Sequence, residues 1–183
     1  MQEAVPVGEG AMAAIIGLDT DKIKEICAET ANMTNQCVQA VNFNCPGQIV
    51  IAGATEAVHK ACDRLKEAGA KRAILLPVSA PFHSTLMQPA ADRLKEVLDS
   101  VEIVDAKIPV VANVNAKPET KADEIRSQLV LQAASPVLWE DSVRRMMNDG
   151  VDTFVEVGPG KVLCGFIKKV DRSYAPLNVE DME

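Results

Sequence analysis

The stretch "VQAVNFNCPGQIVIAGATEAVHKACDRLKEAG", residues 38–69, decides the fold. Val38 to Phe43 reads as a strand, "NCPG" at 44–47 is turn chemistry, and Gln48 to Ala52 is a β-branched run, so the two strands form a hairpin. Thr55 and Glu56 then open a helix. Val58, Cys62 and Leu65 recur along it at helical spacing as a buried stripe, and Gly69 ends it. Working outward, Met12 to Ile16 reads as a strand. Asp19 to about Thr30 follows as a helix with Asp19 or Thr20 as N-cap and Ile23 and Ile26 on its inner face. Downstream, Arg72 to Val78 reads as a fourth strand. The order is βαββαβ, the split pattern of ferredoxin-like units, and it predicts one small subdomain over residues 11–78.

Residues 79–183 change character. The pattern predicts a helix from Thr85 to about Leu98, a strand at Pro109 to Asn113 and a helix around Asp123 to Ala133. It continues with a helix from Pro136 to Met147, a strand at Thr153 to Val157 and a helix from Lys161 to Val170. Alternating strands and helices imply a parallel sheet with sites at its carboxyl ends. Two or three strands make a sheet with open edges and uncovered faces, so this half reads as part of a larger α/β domain. Residues 1–10 read as a linker.

Composition narrows the function classes. The chain has 183 residues, 48% hydrophobic and 25% charged, with a net charge of −7 and 3% aromatic residues. An acidic chain without basic, aromatic-studded runs is not expected to bind nucleic acid. Its apolar runs fall far short of the roughly 20 residues that span a bilayer, and "MQEAVPVGEG" lacks the features of a signal peptide. No membrane association and a cytoplasmic location are the expectation. Five scattered cysteines without a C-x-x-C pair, beside two histidines, suit reduced thiols and predict no metal site.

Candidate chemistry centres on "PVSAPFHSTLM", residues 77–87. His83 lies between a strand and a helix, and position alone leaves two readings open: a loop histidine bonded to backbone, or a general base. No G-x-S-x-G is present, and Ser79 and Ser84 lack the glycine-flanked turn that presents a nucleophile. Ser84 is expected to point away as the helix begins. Cys45, among turn residues without a basic neighbour, has no reason for a lowered pKa. His59 reads as a solvated helix residue. In "EVGPGKVL", residues 156–163, backbone amides at a helix start could hold an anion with help from Lys161, and a tight turn explains the glycines equally well. Lys71, Arg72, Arg144, Arg145, Lys168 and Lys169 read as a solvated face.

Three motifs in order, "NFNCPGQIVIAG" (42–53), "PVSAPFHSTLM" (77–87) and "EVGPGKVL" (156–163), resemble the malonyl-CoA:acyl carrier protein transacylases of bacterial fatty acid synthesis. "GAMAAIIGL" (10–18), "AGAKRAILLPVSAP" (68–81) and "SPVLW" (135–139) carry the same resemblance, which covers essentially the whole chain. It implies an α/β-hydrolase-like large subdomain, here residues 79–183 as its C-terminal part, with a ferredoxin-like one inserted. It implies ping-pong transfer of malonyl from coenzyme A to a serine and on to the phosphopantetheine thiol of acyl carrier protein, without a resident cofactor. His83 matches the family's catalytic histidine and Gln132 the glutamine whose backbone carbonyl orients it. Asn44 matches an asparagine near the pantetheine arm.

The resemblance also implies what this sequence does not hold. The family's serine segment G-H-S-L-G, its oxyanion-hole G-Q-G and its carboxylate-binding arginine all align before Met1. The chain is therefore expected to be the C-terminal three-fifths of such an enzyme and inactive alone. Two other classes remain open from sequence: a non-catalytic carrier-protein or acyl-ligand binding module built on residues 11–78, and a hydrolase using Cys45, Ser79 or Ser84.

Overall fold

A computed structural model describes residues 4–78 and 80–181. Ser79 and the extreme ends of the two terminal segments lie outside the described residues.

The first half is built as two crossed repeats of strand, helix and strand. β1 (Gly10–Ile16) leads to α1 (Thr20–Thr34), β2 (Val38–Cys45) and β3 (Gln48–Ala54), followed by α2 (Thr55–Glu67) and β4 (Arg72–Leu75). The sheet order is β2-β3-β1-β4, antiparallel throughout. Asp19 caps α1, its carboxylate accepting from the amides of Asp21 at 2.9 Å and Lys22 at 3.2 Å. Ile23, Ile26 and Cys27 of α1 and Val58, Ala61, Cys62 and Leu65 of α2 pack against Ala13, Ile15, Val38, Ile49 and Ile51 of the sheet. Fully burying side chains such as Ile51 and Leu65 contributes about 1.5–3 kcal/mol each.

The opposite face of the sheet carries a smaller cluster of Met12, Val41, Val50 and Ala52, against which Leu76 and Phe82 pack. That second cluster couples the sheet to the loop bearing His83. The strand expected to reach Val78 stops at Leu75, because the chain then bends, with the Val78 amide donating to the Leu76 carbonyl at 2.8 Å.

The second half corrects the expectation of one parallel sheet. A 3-10 turn (Thr85–Met87) precedes α3 (Gln88–Asp99), and β5 (Val110–Ala112) pairs antiparallel with β6 (Lys117–Glu119). Then come α4 (Ala122–Leu131), a 3-10 turn (Gln132–Ala134), α5 (Trp139–Asn148), β7 (Val155–Val157), α6 (Val162–Val170) and β8 (Leu177–Val179). β7 and β8 pair in parallel as a separate two-stranded sheet. The helix expected from Pro136 begins at Trp139, because the preceding segment lies along β2. The Phe43 amide donates to the Val137 carbonyl at 2.9 Å and the Val137 amide to the Val41 carbonyl at 2.7 Å. No helix of the described residues is long and apolar enough to cross a membrane.

Candidate active site

The loop after β4 is fixed from both sides before it reaches His83. The Leu76 amide donates to the Met12 carbonyl at 2.9 Å, and Ala80 is fully buried beside Val5 and Met87. Pro81 lies so close to β1 that a Cβ on Gly10 would stand 2.2 Å from the proline ring. Only glycine at that position lets the loop approach the strand.

His83 itself has φ of 62°, a left-handed conformation that side-chain-bearing residues adopt at a cost on the order of 1 kcal/mol. Its neighbours hold it there. Ser84 is fully buried, and its hydroxyl donates to the Pro81 carbonyl at 2.6 Å, closing the turn on the far side of His83. Ser84 is thus turned to the Pro81 carbonyl and enclosed by the turn. Next along the chain, the Thr85 amide and hydroxyl both donate to the Gln39 side-chain oxygen on β2, at 3.3 Å and 3.1 Å.

The ring of His83 is half-buried, and its Nδ1 lies 3.1 Å from the Gln132 carbonyl oxygen. A carbonyl can only accept, so this bond requires the proton on Nδ1 and leaves Nε2 with a free lone pair. Gln132 is the C-cap of α4, where helical carbonyls lack intrahelical partners and are free to accept from elsewhere. Ala133 and Ala134 seat its turn, the latter against Ala80 and Met87 under the His83 loop. The structure thus brings His83 and Gln132 together. Asn44 stands half-buried near the end of β2, and the bonds that hold His83 do not include it among the described residues.

The other candidates take different places. Cys45 ends β2 at the hairpin turn, paired with Gln48, at 1% exposure, and burial raises its pKa, which agrees with an unreactive thiol. Burial likewise pushes Cys27 up to about 12 and Cys62 up to about 11. Cys37 is the half-buried one of the five, the others being buried. Native-state labelling with a maleimide is therefore expected to modify Cys37 first, with the rest reacting only on unfolding. Rapid labelling of Cys45 would contradict this. His59 is exposed on α2, as expected. Arg144 and Arg145 pair along α5 with Glu140 and Asp149, and Lys169 donates to the Gln48 side chain at 3.0 Å.

At "EVGPGKVL" the anion at the helix start is the chain's own. The Glu156 carboxylate accepts from the amides of Leu163 at 3.1 Å and Cys164 at 2.8 Å at the head of α6. These backbone bonds, that from Cys164 foremost, hold its carboxyl below the ordinary 4.5. The folded chain favours the ionised form more than the unfolded chain does. The contribution is complete above the unfolded value near 4.5 and is lost as pH falls through the lower folded value. Urea midpoints of the chain and of Glu156→Gln are expected to differ at pH 6 and to converge towards pH 3; a constant difference would contradict this.

Sequence reasoning missed Gln39, the role of buried Ser84 and the approach of Gly10 to Pro81. Only Gly10 left a signal, as the glycine heading a strand.

Comparison with known proteins places the chain in a family. Residues 1–182 match the acyl transferase domain family. A malonyl CoA-acyl carrier protein transacylase of Bacillus subtilis is 51% identical over the whole chain, which spans 57% of that relative. One from Escherichia coli K12 is 54% identical over 93% of the chain and 54% of its own length. Among solved structures, an acyl carrier protein S-malonyltransferase of Vibrio cholerae superposes with a TM-score of 0.96 at 47% identity, over all of this chain and 59% of that one. A malonyl-transacylase in complex with a type II polyketide synthase acyl-carrier protein superposes with a TM-score of 0.95 at 48% identity, over 99% and 58% of the two chains. With its entire described length matched by that family, the chain belongs to the acyl transferase domain family.

Proposed function

We propose that this chain supplies the general base of a malonyl-CoA:acyl carrier protein transacylase, with His83 as that base and the Gln132 carbonyl as its orienting partner. The observation that carries the reading is the 3.1 Å approach of His83 Nδ1 to Gln132 O, because it leaves Nε2 as the basic atom. A carbonyl serves here where a carboxylate serves in other triads, holding tautomer and ring orientation. The negative end of α4 also faces the ring that becomes cationic during turnover.

The serine, the oxyanion donors and the carboxylate-binding arginine belong, in this reading, to the part of the domain that relatives carry beyond the matched length. Nε2 takes the serine proton as the hydroxyl oxygen bonds to the malonyl thioester carbon. The carbon–sulfur bond then breaks and the proton passes to the coenzyme A thiolate. In the second half-reaction the phosphopantetheine thiol of acyl carrier protein gives its proton to Nε2 and attacks the acyl-serine. The serine oxygen leaves and is reprotonated. Asn44 is assigned to the pantetheine arm. The chemistry needs no resident cofactor or metal, and five free thiols support a cytoplasmic setting.

A transfer assay tests this. The chain is combined, by co-expression or fusion, with the unmatched part of the Bacillus subtilis relative, and malonyl transfer to acyl carrier protein is followed. Transfer by the combination and none by the chain alone is expected. A folded combination without transfer would contradict the assignment. The alternative of a non-catalytic carrier-binding module on the β1–β4 sheet predicts salt-sensitive carrier binding with no transfer in either sample.

A further inference from the structure

Half-buried Gln39 ties the His83 loop to β2 from outside the loop. Its side-chain oxygen accepts from the Thr85 amide at 3.3 Å and the Thr85 hydroxyl at 3.1 Å, and the Cys37 thiol donates to the same atom at 3.4 Å. The Thr85 N–H can only donate, so the oxygen of the Gln39 amide, and not its nitrogen, stands against it. Both bonds to Thr85 are longer than the commonest values, so each is weak alone and the tie lies in the pair.

The left-handed φ of 62° at His83 persists only where the surroundings over-determine it. The Ser84–Pro81 bond lies within the turn and moves with it, so it shapes the turn without fixing the distance from His83 to Gln132. Gln132 reaches β2 by a different route, since further along its chain segment Val137 bonds main chain to main chain with Val41 and Phe43. One strand therefore holds both sides of the 3.1 Å contact: the Gln132 segment through Val41 and Phe43, and the His83 loop through Gln39. A reacting group works only within about half an ångström of its productive place, and hydrogen bonds from supporting residues keep it there. We infer that Gln39 is a positioning residue for the base: by holding Thr85 against β2 it keeps His83 Nδ1 on the Gln132 carbonyl and Nε2 free for the proton. The inference rests on the reading above, that His83 is the base, and assigns Gln39 no contact with the reacting atoms.

Two variants test it: Gln39→Leu keeps the bulk and removes the acceptor, and Gln39→Glu keeps an acceptor at the same reach. In the completed enzyme Gln39→Leu is expected to lower kcat about tenfold with the KM for malonyl-CoA within twofold, and Gln39→Glu to hold kcat within threefold of the parent. Nitrogen-15 NMR of the chain in a His59→Gln background reads the ring apart from catalysis. There Gln39→Leu is expected to move part of the neutral His83 population to the Nε2-protonated tautomer, while Gln39→Glu keeps the proton on Nδ1. A folded Gln39→Leu with the parent tautomer and kcat within twofold would overturn the inference, as would a loss of kcat that Gln39→Glu shares. A shifted tautomer with unchanged kcat would uphold the positioning and overturn His83 as the base instead. Should Gln39→Leu fail to fold by circular dichroism, Thr85→Val, which removes one of the two bonds to the same oxygen, is read in its place. A fall in kcat of about threefold is then expected, and an unchanged kcat would overturn the inference.

Discussion

His83→Ala is expected to lower malonyl transfer by about 10³-fold or more in the completed enzyme, the range set by removing a general base that acts with a nucleophile. The chain's unfolding midpoint should move by no more than the loss of one half-buried hydrogen bond, since alanine keeps a Cβ and carries the left-handed φ of 62° at a similar cost. The effect is expected in kcat for both half-reactions, because in the proposed mechanism the same Nε2 handles both protons. A rate within tenfold of the parent, from a folded variant, would remove His83 from the chemistry.

Gly53→Ala is expected to have the largest effect on stability. A Cβ there would stand 2.0 Å from the Cys37 carbonyl oxygen and 2.6 Å from the Val38 Cα, both backbone atoms of the paired strand. Neither can rotate away as a side chain would. The Cys37 carbonyl also accepts from the Ala54 amide at 2.8 Å, so moving it breaks the bond that starts the β2–β3 pairing. A loss of about 3 kcal/mol or more is expected, above ordinary overpacking because the obstacle is main chain. Chemical denaturation measures it, and a change under 1 kcal/mol would contradict the close approach.

The β1–β4 unit was legible because each of its elements carries a local signal that agrees with its tertiary place. Asp19 caps and Val58, Cys62 and Leu65 stripe α2 as read, while the turn in "NCPG" narrows to Pro46 and Gly47 because β2 continues through Cys45. β6 and β8 were not legible: Lys117–Glu119 has no apolar alternation, and Leu177–Val179 is a strand through its pairing with β7. Helix α5 starts later than its periodicity suggests, because Val137 is recruited to the edge of β2.

The site divided along the same line. Position allowed His83 as a base or a packed loop residue, and the resemblance pointed to Gln132. The contact between them is made by a main-chain oxygen, whose direction depends on where α4 ends and not on the glutamine side chain. Ser84 and Gln39 left no sequence signal, because a buried hydroxyl closing a turn and a side-chain amide clasping Thr85 depend on tertiary neighbours. Glu156 turned a motif that could have held a ligand anion into a self-capped helix start.

The central claim, that the Gln132 carbonyl fixes His83 with Nε2 as the basic atom, is tested most directly by nitrogen-15 NMR of the chain in a His59→Gln background, above the pH at which the ring is neutral. The account predicts the Nδ1-protonated tautomer, with Nε2 at the shift of an unprotonated ring nitrogen. A neutral His83 protonated on Nε2 would contradict it, since that ring could neither donate to Gln132 nor take a serine proton through Nε2.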